Sequence, residues 1–376
     1  MKKLLLILVF SIPFLLNAQK DHPEVNMLEI GEKAPDFNLR ATDGERYQLE
    51  DFADKDVLVV LFTCNHCPTA QAYEDKFMKI VRDYSGRGVG FVAISPNSNE
   101  ALSLAECGYS DLDDSYEAMQ QRARYKSFNF PYLYDGDDHE SSLKYGPQAT
   151  PHVFVFDNER MLRYRGRIDD TENPYVEPES KDLINALDAL LAGNEPEPAT
   201  TKTFGCSIKW SWKDEWTKTL QKRWAGEEVS LVDIDVEGIK EVIENETENL
   251  RLVNVWATWC GPCVIEFPEL VKMYRMYSGR DFELVTISAD KPSQKDRAKK
   301  FLEEQNASNT NYIFHSDNTY AMFDAIDEEW QGTIPFTLLI APGGEIIYKH
   351  TGAFTPLELR KKIIEFLGRY YADNEE

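Results

Sequence analysis

Four of the six cysteines fall into two Cys-x-x-Cys pairs, Cys64–Cys67 and Cys260–Cys263. Two sulfurs three residues apart at the start of a helix can do reversible disulfide chemistry: one sulfur attacks, and the other sits a turn behind to close the ring. Around the second pair the chain reads Trp256-Ala257-Thr258-Trp259-Cys260-Gly261-Pro262-Cys263. A β-type apolar run ends at Trp256, and beyond Cys263 the apolar positions Val264, Ile265, Phe267 and Leu270 take helical spacing. That change of period puts Cys260 at a helix N-terminus, where unpaired N–H groups and the positive end of the helix dipole favour a thiolate. A static disulfide or half of a zinc site is the alternative. No second Cys/His pair stands at zinc spacing.

The first pair is embedded in Thr63-Cys64-Asn65-His66-Cys67-Pro68. It follows an unbroken apolar run, Val57 to Phe62, that suits a buried parallel strand, and it precedes a helical pattern through Tyr73, Phe77 and Ile80. His66 is placed to donate to a Cys64 thiolate, lowering that thiol's pKa; a solvated loop residue is the alternative. Cys64, His66 and Cys67 lack an evident fourth ligand, so neither a resident metal nor a cofactor is expected. Cys107, in Ala105-Glu106-Cys107-Gly108-Tyr109, reads as an idle thiol. Cys206 either returns to Cys64 or Cys67 as a third redox thiol or pairs with Cys107.

The elements around each pair recur in the same order. Tyr84-Ser85-Gly86-Arg87 leads into an apolar strand, and so does Tyr277-Ser278-Gly279-Arg280. Thr150-Pro151 precedes the strand from His152 and a hairpin ending at Gly166, as Ile334-Pro335 precedes the strand from Phe336 and a hairpin ending at Gly352. The chain is read as two copies of one α/β fold. Boundaries are expected at 27–210 for the first domain, 211–228 for a helical connector carrying Trp216 and Trp224, and 229–376 for the second domain.

These motifs resemble the thioredoxin superfamily, with Trp-Cys-Gly-Pro-Cys among its most specific signatures. The implied fold is two tandem thioredoxin-like domains, each a central mixed sheet flanked by helices. Gly31-Glu32-Lys33-Ala34-Pro35-Asp36-Phe37 resembles the peroxiredoxin (AhpC/TSA) and redoxin branch, and Cys263-Val264-Ile265-Glu266-Phe267-Pro268 resembles the exported ResA/TlpA-like oxidoreductases. The resemblance implies cis-prolines at Pro151 and Pro335, which with the preceding Thr150 and Ile334 form a substrate shelf, and Trp259 shielding one side. It also implies Cys260 as nucleophile and Cys263 as resolver. The acid that thioredoxins keep on the preceding strand is replaced by Asn254, and Glu266, one turn after Cys263, either relays that thiol's proton or is a solvated helix residue. An intervening dipeptide ending in His implies that Cys64–Cys67 is the more oxidising pair and Cys260–Cys263 the more reducing.

A net charge of −24 disfavours nucleic acid and anionic membrane surfaces as partners. With 42% hydrophobic residues the chain can build full cores. Met1-Lys2-Lys3, the apolar stretch Leu4 to Leu16 and Asn17-Ala18 read as a secretory signal peptide over 1–18, because a spanning helix needs roughly 20 apolar residues. A retained anchor is the alternative. The protein is therefore expected to be exported, periplasmic or extracellular, without stable membrane insertion once the leader is removed.

The function implied is thiol–disulfide exchange at both Cys-x-x-Cys sites with exported proteins, apocytochromes among them, supplied by an upstream thiol reductant. A second reading makes the first domain a thiol peroxidase recycled by the second. Against it, the peroxiredoxin pattern Pro-x-x-x-Thr-x-x-Cys would need Pro and Thr where Val60 and Cys64 stand. A third reading is a binding or chaperone-like protein that uses its proline shelves without turnover.

Overall fold

The computed structural model describes residues 22–370 apart from 172 and 174. The expected leader, 1–18, and residues 371–376 lie outside the described residues.

The first half contains β1 (Asn38–Ala41), β2 (Arg46–Gln48), β3 (Val57–Phe62), β4 (Val89–Ser95), β5 (Tyr132–Tyr134), β6 (Ala149–Thr150), β7 (His152–Phe156), β8 (Leu162–Gly166) and β9 (Cys206–Ser207). Its helices are α1 (Pro68–Tyr84), α2 (Tyr116–Lys126), α3 (Ser142–Tyr145) and α4 (Asp182–Leu191). Seven strands form one sheet in the order β2-β1-β5-β4-β3-β7-β8, and β6 pairs with β9 separately. β3 is central, parallel to β4 and antiparallel to β7. Its residues alternate between two cores: Val57, Val59 and Leu61 face Tyr73 and Phe77 of α1 and Leu183 of α4, while Leu58, Val60 and Phe62 face Phe37, Phe52 and Tyr145. A strand covered on both sides must be apolar throughout, which explains the unbroken run.

After α5 (Glu215–Ala225), the second half contains β10 (Val232–Ile234), β11 (Leu250–Trp256), β12 (Phe282–Ser288), β13 (Thr310–Phe314), β14 (Phe336–Ile340) and β15 (Ile346–Thr351). Their order is β10-β13-β12-β11-β14-β15. The helices are α6 (Val236–Glu244), α7 (Gly261–Met276), α8 (Lys295–Glu304), α9 (Thr319–Ile326) and α10 (Pro356–Leu367). The central pairing repeats that of the first half, with β11 parallel to β12 and antiparallel to β14. Two tandem thioredoxin-like domains account for both sheets.

The halves are packed together. The segment from Leu102 to Asp114 leaves the first sheet and places Leu102 and Cys107 in the apolar cluster of the second half. Cys107 is fully buried there, remote from Cys206 in its contacts, so no bond joins them. Lys272 pairs with Asp113 at 3.0 Å, Tyr277 Oη donates to the Ser110 carbonyl at 3.1 Å, and Arg369 forks onto Asp111 at 2.8 and 2.9 Å. α5 lies against both halves: Thr217 donates to the Ala101 carbonyl at 3.2 Å, and the Arg275 guanidinium stands over the Trp224 ring.

Candidate active site

In the second half, β11 delivers the chain into Ala257–Trp259 and α7 begins at Gly261 with Cys260 as its N-cap. Pro262 occupies the first turn, where its missing N–H is no loss. The turn before it is held by Asp290, which accepts from Thr258 N at 2.9 Å and Thr258 Oγ1 at 2.7 Å. Cys260 and Cys263 form a disulfide, and the Cys263 N–H points at the Cys260 sulfur across 3.3 Å. That donor and the helix dipole would stabilise a Cys260 thiolate once the bond is reduced.

The Ile334–Pro335 bond is cis, and Phe336, the next residue, lies opposite Val255 at the same end of the sheet as the disulfide turn. Cys260 is 6% exposed, and Trp259 and Ile265 are 60% and 80% exposed, so apolar surface available to a partner flanks an almost covered sulfur. Glu266 is not a solvated helix residue. It is 6% exposed, with Oε1 accepting from Asn254 Nδ2 at 3.2 Å and Oε2 from Phe354 N at 3.2 Å. Burial raises its pKa to about 7, and the hydrogen bonds from Phe354 and Asn254 offset part of that rise. A carboxyl that titrates near neutrality one turn from a resolving thiol is suited to carrying a proton.

The first half is built differently. α1 starts at Pro68, so Cys67, not Cys64, is the N-cap residue, and its sulfur accepts from Ala70 N at 3.4 Å. Cys64 sits earlier in the turn, 3.0 Å from Thr150 Oγ1. The Cys67 sulfur also lies 3.2 Å from the carbonyl oxygen of Thr150, which precedes the cis Thr150–Pro151 bond. Burial pushes the Cys64 thiol well above its usual value, and Cys67 beside it adds to the rise. Burial opposes ionisation of Cys67 too, but hydrogen bonds from Cys206 and Cys64, the His66 charge and the Ala70 N–H outweigh it, holding this thiol well below the usual value. Of the pair's two thiols, Cys67 is the one whose ionisation the surroundings favour.

This corrects the expected role of His66. It does not donate to Cys64; its Nδ1 faces Asp114 Oδ2 at 2.6 Å, both groups being buried. Burial disfavours the imidazolium, yet the Asp114 carboxylate outweighs it and raises the His66 pKa. The charge so held acts on Cys67. Asp114 is a hub that the sequence did not reveal: it also accepts from Asn65 N at 2.9 Å, His66 N at 3.0 Å and Asn97 Nδ2 at 2.7 Å. Cys64, His66 and Asp114 have ligand atoms within 4.8 Å of one another, a grouping able to approach a cation. Both Asp114 oxygens are already engaged by N–H donors, so these residues fit a hydrogen-bonded cradle better than a coordination sphere.

Cys206 resolves to the first of its two expected positions. β9 pairs with β6, Thr150 opposite Cys206, and Cys206 N donates to the Cys67 sulfur at 3.3 Å.

The Redoxin family model matches residues 29–184 and again 228–363. Over 133 residues, 35% of this chain, it is 32% identical to the thiol-disulfide oxidoreductase ResA of Halalkalibacterium halodurans, covering 70% of that protein. Over 115 residues, 31% of this chain, it is 33% identical to the thiol:disulfide interchange protein CycY of Rhizobium leguminosarum, covering 56% of it. Among solved structures, an uncharacterized conserved protein from Geobacillus kaustophilus is 35% identical, with 49% of this chain and 94% of that one covered and a TM-score of 0.44.

Proposed function

The chain belongs to the Redoxin family and is a thioredoxin-like oxidoreductase; we propose that it is exported and exchanges dithiols and disulfides with protein substrates, apocytochromes among them. Cys260 attacks, and Cys263 resolves the mixed disulfide. Ile334 and Pro335 offer backbone to the substrate, Trp259 and Ile265 offer apolar surface, and Glu266 accepts the Cys263 proton. The observation that carries this reading is the Cys260–Cys263 disulfide at the N-terminus of α7, with a buried carboxyl of pKa about 7 one turn along. In the opposite direction the same groups oxidise a dithiol substrate.

The test is reduction of a disulfide-bonded protein such as insulin by the fully reduced chain, with alkylation and mass spectrometry reporting each cysteine. Fast loss of the Cys260 thiol supports the reading, and Cys260→Ser abolishes turnover. A Cys260→Ser protein that retains its full effect on substrate proteins would mean binding without exchange. Export is tested separately, by fractionation of cells and sequencing of the mature N-terminus.

A second reading, peroxide reduction at Cys67, is favoured by that sulfur's position as a stabilised thiolate at a helix N-terminus. Its full burial and the Val60 and Cys64 that stand where a peroxidase would need Pro and Thr count against it. Rapid oxidation of Cys67 by limiting hydrogen peroxide would select it.

A further inference from the structure

Thr150 precedes a cis-proline as Ile334 does, yet the backbone edge at Thr150 is already occupied by the chain itself. β9 lies antiparallel along β6, pairing Thr150 with Cys206 and Ala149 with Ser207. Thr203 Oγ1 donates to the Pro151 carbonyl at 2.8 Å. Gly205, at φ +129°, approaches so closely that a Cβ would stand 2.0 Å from the Thr150 carbonyl oxygen, which only glycine allows. Beyond Cys206 the segment is fastened: Ile208 and Trp210 are buried, Lys209 N donates to Asn97 Oδ1 at 2.9 Å, and Ser98 N to the Lys209 carbonyl at 2.8 Å.

An extended strand added to an exposed backbone edge is a common way to hold a peptide client. Here residues 203–207 take that position and bring their own cysteine. Cys206 packs against the cluster of Cys64, Cys67 and Ala70, with its N–H on the Cys67 sulfur. Exposure ranks the three residues: Cys67 is closed off at 0%, Cys64 nearly so at 3%, and Cys206 is half-buried.

We propose that Cys206 is the sulfur through which the first half exchanges with its partner, a built-in third redox thiol that moves a disulfide between the partner and the buried Cys64–Cys67 pair. This extends the thiol–disulfide exchange proposed above to the first half. Cys206, deprotonated, attacks one sulfur of a partner disulfide, forming a mixed disulfide and releasing one partner thiolate. The Cys67 thiolate attacks the Cys206 sulfur and releases the second, leaving Cys67–Cys206 bonded. Cys64 then attacks Cys67, giving its proton to the departing Cys206 and closing Cys64–Cys67. One partner disulfide is reduced to two thiols, two cysteines of this chain are oxidised, and the partner's two protons come from Cys206 and from water. Run backwards, the sequence oxidises a dithiol. In that reverse direction a partner thiolate attacks Cys206 and expels Cys67, whose thiolate is received by two N–H donors.

The test uses the full chain, reduced, as wild type, Cys64→Ser and Cys206→Ser, exposed to oxidised glutathione, with disulfides mapped by mass spectrometry over time. Cys64→Ser, which lacks the inner resolver, should accumulate a Cys67–Cys206 disulfide. Cys206→Ser should oxidise Cys64 and Cys67 at least tenfold more slowly than wild type. Absence of the Cys67–Cys206 bond from Cys64→Ser, or inner-pair oxidation in a folded Cys206→Ser within threefold of wild type, overturns the proposal. If Cys206→Ser does not fold, the bond map of Cys64→Ser decides. Cys260 and Cys263, read in the same wild-type sample, keep the two ideas apart: their failure to exchange counts against the proposed function, while their exchange without a Cys67–Cys206 bond in Cys64→Ser defeats this inference alone.

Discussion

The side-chain amide of Asn254 on β11 donates to Oε1 of Glu266 on α7 across 3.2 Å, joining strand to helix one turn beyond Cys263. The same amide also donates to Thr337 Oγ1 at 3.1 Å, so its two N–H bonds are spent fixing the carboxyl and the adjacent strand. The strand position that carries an acid in related folds here carries a donor, and the acid arrives from the helix instead. The carboxyl stays buried and lightly hydrogen-bonded, which is why its pKa rises to about 7 instead of falling.

Exchange at Cys260–Cys263 should therefore depend on pH through Glu266. Only ionised Glu266 accepts the Cys263 proton, so the rate of resolution should climb as pH rises through about 7. Glu266→Gln should remove that inflection and slow resolution by about tenfold or more. Superimposable pH–rate profiles for the two proteins would remove Glu266 from the mechanism. Stability moves the other way. A pKa raised on folding contributes stability that is complete below the unfolded value near 4.5 and lost as pH climbs through about 7. Allowing for solvent screening, roughly 2 kcal/mol is at stake, and Glu266→Gln should flatten the decline in urea midpoint between acid and alkaline pH.

Asp114 should be the most costly polar side chain to remove from the first site. It is fully buried and holds two backbone N–H groups, the Asn97 amide and the His66 ring. Asp114→Ala leaves these donors unpaired in the interior and should cost about 3–5 kcal/mol in urea unfolding. It also removes the carboxylate that favours the charged form of His66, so the Cys67 thiol should titrate at higher pH, followed by thiolate ultraviolet absorbance. A loss under 1 kcal/mol, or so, would show that water replaces the carboxylate.

The parts legible in the sequence were those with a local signal. The central strand Val57–Phe62 stands out as an apolar run because both of its faces are covered, and the two halves reveal each other by repetition. What the sequence left out, as for Asp114, or left open between two positions, as for Cys206, depends on distant pairing. Asp114 meets His66 across 48 positions, and Cys206 meets Cys67 across 139. One local signal distinguishes the two motifs: Pro68 follows the second cysteine of its pair, whereas Pro262 precedes its own. Proline favours the first turn, so α1 begins beyond Cys67 and α7 beyond Cys260, and the favoured sulfur changes place between the two motifs.

The two pairs should differ in potential. Stabilising a thiolate stabilises the reduced form, and Cys67 has the Ala70 and Cys206 N–H groups and the His66 charge around it, whereas the Cys260 sulfur has the Cys263 N–H. Cys64–Cys67 should therefore be the more oxidising pair in titration against glutathione redox buffers, and the reverse order would sink this account of Cys67.

Electrons should not pass directly between the two pairs within one molecule. Thiol–disulfide exchange needs sulfur-to-sulfur contact. The first half meets α7 at Lys272, through Asp113 beside the Asp114 hub, and meets Tyr277 through Ser110. Cys263 lies nine residues earlier on the same helix, about 13 Å along its axis at 1.5 Å per residue. The Arg369 fork onto Asp111, itself shared with Arg122, and the burial of Leu102 and Cys107 in the second half's core oppose any rotation that would close this gap. With Cys260–Cys263 reduced and the Cys64–Cys67 pair oxidised, equilibration between the pairs should be second order, its rate rising in proportion to protein concentration. A rate independent of concentration would show that the halves separate in solution and that the second half reduces the first directly.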